Sequence, residues 1–189
     1  MQRALSGLVL SLSVLAAGTA EAKDLNSLLQ GDYAAVSSDS CLGAFTAQSP
    51  FNADFTIQPN VGAFTNTLAI QAIYTFNGDG TGSRQGTALT MSSGSATEAA
   101  FQGGFTYQVN ADLSFSLVSD TVTGTLLNGT RAGQTFTDDN LAMTGQSSAD
   151  ASKLTLAEIE PLVEELNFSG APSTEFRVCA RSTSLIKLN

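Results

Sequence analysis

The sequence predicts an all-β fold, a single antiparallel β-barrel with a short N-terminal helix. Three observations predict it. Residues 99 to 136 alternate: Phe101, Phe105, Tyr107 and Val109 sit at odd positions with Gln102, Gly104, Thr106 and Gln108 between them. After Asn110-Ala111-Asp112, Leu113, Phe115 and Leu117 alternate with Ser114 and Ser116. A period of two marks strands with one dry face and one wet face. Breaks this short hold a turn but no crossover helix, so neighbouring strands run antiparallel. The second observation is a series of strong turn signals, Asn77-Gly78-Asp79-Gly80-Thr81-Gly82 above all, whose glycines accept positive φ. The third is the placing of the two cysteines, Cys41 and Cys179, near the start and the end of the chain. A bond between them suits a closed sheet, whose first and last strands must be neighbours.

The chain divides into an export signal, residues 1–22, and one domain, residues 23–189. Arg3 supplies a basic start, Leu5 to Ala17 an apolar run, and Ala20-Glu21-Ala22 a small-x-small cleavage site. A retained anchor is the alternative, but the run is too short to span hydrocarbon comfortably and no stop-transfer pattern follows. No later stretch resembles a membrane helix. Removing 22 of 189 residues leaves 167, enough for one domain with a core. The full chain carries 8 Lys plus Arg against 17 Asp plus Glu, a net charge of −9. Such a surface disfavours nucleic acid and anionic lipid as partners. A secreted or periplasmic location is oxidising, so Cys41 and Cys179 are expected to pair. Two separate buried thiols are the alternative.

Taken in order, Leu25, Leu28 and Leu29 share a helical face ended by Gly31, and this two-turn helix should dock on the barrel. Asp32 to Val36 reads as a short strand and Cys41 to Ala47 as another, with polar Ser37 to Ser40 between. Residues 37 to 66 are otherwise irregular, and Pro50 and Pro59 interrupt pairing. Phe45, Phe51, Phe55 and Phe64 fall here. Four such rings in a loop must bury against something, so they either plug a barrel end or line its mouth as a lid. Leu68 to Phe76 and Ser83 to Met91 are strands about the glycine-rich turn, and Ser92 to Thr97 is a loop. Thr121 to Leu127 and Thr130 to Phe136 flank Asn128-Gly129 as a hairpin. Thr137 to Asn140 reads as an acidic turn and Leu141 to Thr144 as a short strand. Residues 153 to 168 fit a helix capped by Thr155, with Glu158 three residues on, or two strands about Pro161. The proline favours strands. Phe176 to Ala180 and Ser184 to Leu188 close the chain.

A short helix, Gly31-x-Tyr33 at the first strand, a meander of hairpins and an end-tying disulfide together resemble the lipocalin-like, or calycin-type, barrels. The turn Phe76 to Gly82 and the segment Arg177 to Ser182 are similar to those of small exported bacterial barrels of uncharacterised function. The resemblance implies an apolar pocket inside the barrel, and Arg177 or Arg181 would echo an arginine that lipocalins carry near their last strand.

Chemistry in the residues is sparse. There is no His to serve as a base, so nucleophilic catalysis and zinc ligation by imidazole have no residues to use. No catalytic residue, metal site or cofactor is assigned. The calcium-loop look of Asn77-Asp79-Thr81 fails at the twelfth position, which is Ala88 rather than Glu. Asp138-Asp139 reads as a solvated turn, and Glu158, Glu160, Glu164 and Glu165 as a solvated face, though Glu158 and Glu165 could meet across a hairpin as an acid pair. The expected function is binding of a small, largely apolar ligand by Phe45, Phe51, Phe55, Phe64 and Tyr107. The net charge favours a neutral or cationic ligand, unless Arg177 or Arg181 points inward. The alternatives are a carboxylate-based enzyme and a surface or protein-interaction module without a pocket.

Overall fold

A computed structural model describes residues 25–158 and 160–189. The export signal read at residues 1–22 lies outside the described residues. Eleven strands form one antiparallel sheet: β1 (Gln30–Thr46), β2 (Ala63–Asn77), β3 (Thr81–Ser92), β4 (Ser95–Val109), β5 (Ser114–Ser119), β6 (Val122–Leu126), β7 (Thr135–Asp139), β8 (Ala142–Ser147), β9 (Lys153–Ala157), β10 (Val163–Phe168) and β11 (Thr174–Lys187). Strands β1 to β4 pair in succession, and β11 returns to β1. At one end the circuit from β4 to β11 runs through β5, β8 and β9; at the other it runs through β6, β7 and β10. Either way the sheet closes as a barrel-like ring of eight. Five strands run its full height. The other three positions are each filled by two shorter strands, with breaks at 120–121, 140–141 and 158–162.

The structure departs from the expected elements in several places. Asp32 to Val36 and Cys41 to Ala47 are parts of one strand, β1, and the two C-terminal strands are likewise one, β11. Both strands put charged or polar residues on the inner face at mid-height, Asp39 on β1 and Arg177 and Arg181 on β11, so the apolar alternation fails where the backbone pairing continues. The expected two-turn helix is a single 3-10 turn, Asn26–Leu28. Asn26 uses its side chain to accept the Val109 N–H at 2.9 Å, and Leu29 is wholly buried. The expected hairpin about Asn128-Gly129 forms, β6 with β7, but its connection is longer than the pair: β6 stops at Leu126 and β7 starts at Thr135. The Asn128 side chain instead accepts the Glu98 N–H at 2.8 Å. Residues 137 to 139 belong to β7, and Ser92 to Thr97 shrinks to a turn at Ser93-Gly94. The preference for strands over a helix at 153 to 168 holds, with Pro161 in the break between β9 and β10.

Three of the turns at the end carrying the 3-10 turn share one construction. In Asn77-x-Asp79-x-Thr81, Asn110-x-Asp112-x-Ser114 and Ser148-x-Asp150-x-Ser152, the aspartate accepts both the backbone N–H and the hydroxyl of the last residue. The residue between them has positive φ: Gly80, Leu113 and Ala151. Asn52-x-Asp54-Phe55-Thr56 repeats the pattern in the long loop at the opposite end. The short polar side chain offers the backbone a local partner and fixes the turn. Asp79 therefore serves its own hairpin.

The half of the barrel above these turns is solidly packed. Phe76 meets Tyr33, Phe105 and Tyr107 edge to face at 5.2, 5.1 and 5.0 Å. Tyr33 donates to the Ala151 carbonyl at 2.7 Å, and the Tyr107 hydroxyl lies 2.8 Å from the Leu29 carbonyl. Each buried ring with a polar tip thus has a partner for it. Leu117, Leu154, Leu156 and Leu185 complete this core.

Cys41 and Cys179 are bonded, and they face each other in register across the β1–β11 seam. Pairing from Tyr33↔Lys187 to Thr46↔Thr174 closes the ring even without the bond. Replacing both cysteines by alanine is therefore expected to leave a folded protein that is less stable by about 2–4 kcal/mol, the usual worth of a long-range disulfide. Urea unfolding of the double variant reads this directly, and an unchanged midpoint would contradict it.

Candidate functional site

The other half of the barrel is hollow. A cavity of about 490 Å³ lies between β1, β2, β3, β4, β6, β7, β10 and β11. Its walls carry Leu68, Ile70, Phe101, Leu126, Leu166 and Phe168. Small residues make the room: on β3 the inward positions are Ala88, Thr90 and Ser92, and on β4 they are Ser95, Thr97 and Ala99. Gly124 lies under the Phe136 ring, where any Cβ would collide. Arg131, in the loop between β6 and β7, rests 4.3 Å over the Phe168 ring.

Of the five residues expected to bind a ligand, Phe45 and Phe64 line this cavity and pack together, with centroids 5.2 Å apart. Phe45 remains 46% exposed, so it stands at the mouth rather than in the core. Phe51 and Phe55 belong to the loop between β1 and β2 and are not among the lining residues. Phe51 pairs with Ile57, and Phe55 takes the positive-φ position of its turn. Tyr107 sits in the packed half.

Along the β7 and β11 wall of the cavity lies a layer of buried charge. Arg177 Nε is 2.6 Å from Glu164 Oε2, and Arg177 Nη2 is 3.0 Å from Asp138 Oδ2. Arg181 Nε is 2.6 Å from Asp39 Oδ2, and its Nη2 is 2.8 Å from Glu164 Oε1. Glu175 and Glu158 stand 3.8 Å from Arg177 and Arg181 respectively. Burial opposes the charge on Glu164, but Arg181 and Arg177 together outweigh it and hold its carboxyl below the usual range. Asp138 is less well matched: burial pushes it up to about 7 despite Arg177. Burial, with the field of Glu164 added, likewise raises Glu158 to about 7, and neither of its carboxylate oxygens has a hydrogen-bond partner among the described residues. Burial also raises Glu175. Burial works against both arginines, yet Glu164, with Asp138 for Arg177 and Asp39 for Arg181, keeps them firmly protonated.

The acidic residues thus divide differently from the sequence reading. Glu158 and Glu165 do not meet: Glu158 is turned to Arg181, whereas Glu165 takes the Asn167 amide at 3.1 Å. Glu164 and Asp138 are interior, not solvated. The signal that could have found them is position. Arg177, Cys179 and Arg181 share one face of a strand, so a buried cysteine implies two buried arginines, which in turn require buried acids.

A third arginine differs from these. Arg84 on β3 is 8% exposed and lines the cavity. Its Nη1 donates to the Tyr74 hydroxyl at 3.2 Å and its Nη2 to Ser119 Oγ at 2.9 Å, while its Nε has no partner.

No family model, curated protein or solved structure matches the chain.

Proposed function

We propose that this chain is an exported, lipocalin-like barrel that holds one small, largely apolar ligand in the hollow half of the ring. The cavity carries this reading: 490 Å³ falls in the range of small-molecule sites, its walls are mostly apolar and a few polar groups converge on it. Phe45 and Phe64 at the mouth fit a role in ligand entry. The Cys41–Cys179 bond fits an oxidising compartment outside the cytoplasm. The test is saturable binding of phenylnaphthylamine, a neutral fluorescent probe, to the mature protein. One equivalent is expected to bind, and Ala88→Phe, which fills the cavity from β3, is expected to abolish it. Failure of the parent protein to bind the probe would remove the reading.

A second reading, carboxylate catalysis on a bound molecule, draws on Asp138. This group lines the cavity and is poised near neutrality, the condition for proton transfer in both directions.

A further inference from the structure

We infer that the ligand of this cavity is amphipathic, with an anionic head of the carboxylate class received at Arg84. The inference rests on the binding reading above and adds the chemistry of the ligand.

Its ground is the contrast among the interior arginines. A guanidinium taken out of water is costly unless a negative charge accompanies it. Arg177 and Arg181 meet that requirement with Asp138, Glu164 and Asp39 at 2.6–3.0 Å. Arg84 is as deeply buried, yet it forms no ion pair within 4 Å among the described residues; its two partners are neutral hydroxyls. Asp138, whose charge Arg84 helps to favour, is already held by Arg177. The fold nevertheless keeps the guanidinium in place from two sides, through Tyr74 on β2 and Ser119 at the end of β5. A cation positioned on a cavity wall and left without a counter-charge is a site prepared for an anion.

The other charges on the lining agree. Arg177 and Arg181 are offset by Asp138, Glu164 and Asp39, which leaves Arg84 and Arg131 against Glu175, an acid pushed toward neutrality by burial. The wall is therefore positive although the whole chain carries −9. The local field replaces the neutral or cationic preference that net charge suggested. Leu68, Ile70 and Leu166 leave an apolar compartment for the tail.

The experiment is displacement of phenylnaphthylamine from the mature protein at neutral pH by dodecanoate and by dodecanol, which share a tail and differ in the head. Dodecanoate is expected to displace the probe at about tenfold lower concentration. Arg84→Met should erase that difference and Arg84→Lys should keep much of it, with probe binding by both variants showing that the cavity is intact. Equal displacement by the two compounds in the parent protein would overturn the inference and leave the cavity reading standing. A preference for dodecanoate that survives Arg84→Met would overturn the assignment to Arg84. No binding of the probe to the parent protein would overturn both readings.

Discussion

Replacing Arg181 by methionine is expected to destabilise the protein by about 3–5 kcal/mol, the cost of breaking a buried ion pair. Arg181 lies between Asp39 at 2.6 Å and Glu164 at 2.8 Å, with Glu158 at 3.8 Å. Glu164 is fully buried and Asp39 nearly so. Methionine fills much the same volume but leaves Asp39 buried without a cation and Glu164 with Arg177 alone. The cost comes from stranding charge, not from losing a favourable bond, and this can be tested. A variant that also carries Asp39→Asn removes the stranded charge, keeps Glu164 for Arg177 and should recover much of the loss. Urea unfolding of the parent, the single variant and the double variant measures both quantities. A loss below about 1 kcal/mol, typical of exposed pairs, would show that water reaches the layer.

The second large effect is on pH dependence. Asp138 and Glu158 titrate near 7 in the folded chain, against ordinary values of 3.8 and 4.5. The folded state therefore holds protons that the unfolded state has released, and stability falls as pH rises through this interval. Their contribution is fully present below the unfolded values and is lost once pH passes the folded ones. Groups with lowered values act in the opposite sense. Hydrogen bonds from Ser148 and Ser152 bring Asp150 to about 2, so its contribution is present above the ordinary carboxylate range and disappears as pH falls through 2. Glu164, held down by Arg181 and Arg177 against burial, works in the same direction as Asp150. The two sets together place maximum stability in mildly acidic solution, with a decline between about pH 5 and about pH 8. Thermal unfolding across that range should show the decline, and Asp138→Asn with Glu158→Gln should flatten it. A parent protein equally stable at both ends would contradict the assignment.

How much of this could be read from residues alone follows the inner face of the strands. Where that face is apolar, as at Leu68 to Phe76 or Phe101 to Val109, alternation marks the strand, and the pairing follows from short turns. Where it is charged, as at Asp39 or Arg177, the same alternation becomes polar on both faces and the strand reads as a break. The cysteine pairing was legible because the expected oxidising compartment and the positions of Cys41 and Cys179 point the same way. The cavity was half legible: Phe45 and Phe64 stand out as rings needing burial, whereas the space itself comes from absent volume at Ala88, Thr90 and Ala99, and sequence patterns weigh what is present. Asp138 and Glu164 were hidden because an acid beside other acids reads as surface. Only the inward register of β7 and β10 separates Asp138 from Asp139, and Glu164 from Glu165.

The three interrupted strand positions make the barrel resemble a cask in which five staves run full height and three are jointed at the waist. A one-residue slip in a full stave would turn every side chain along it to the wrong face. A joint confines such a change to one storey. The loops 127–134 and 169–173, with β6, β7 and β10, form the upper storey of the jointed side, and β5, β8 and β9 keep their own partners beneath it. The rim can thus lengthen, shorten or change its lining by substitution while the lower storey serves as an undisturbed plinth, so the shape and chemistry of the cavity are free to drift without renegotiating the fold.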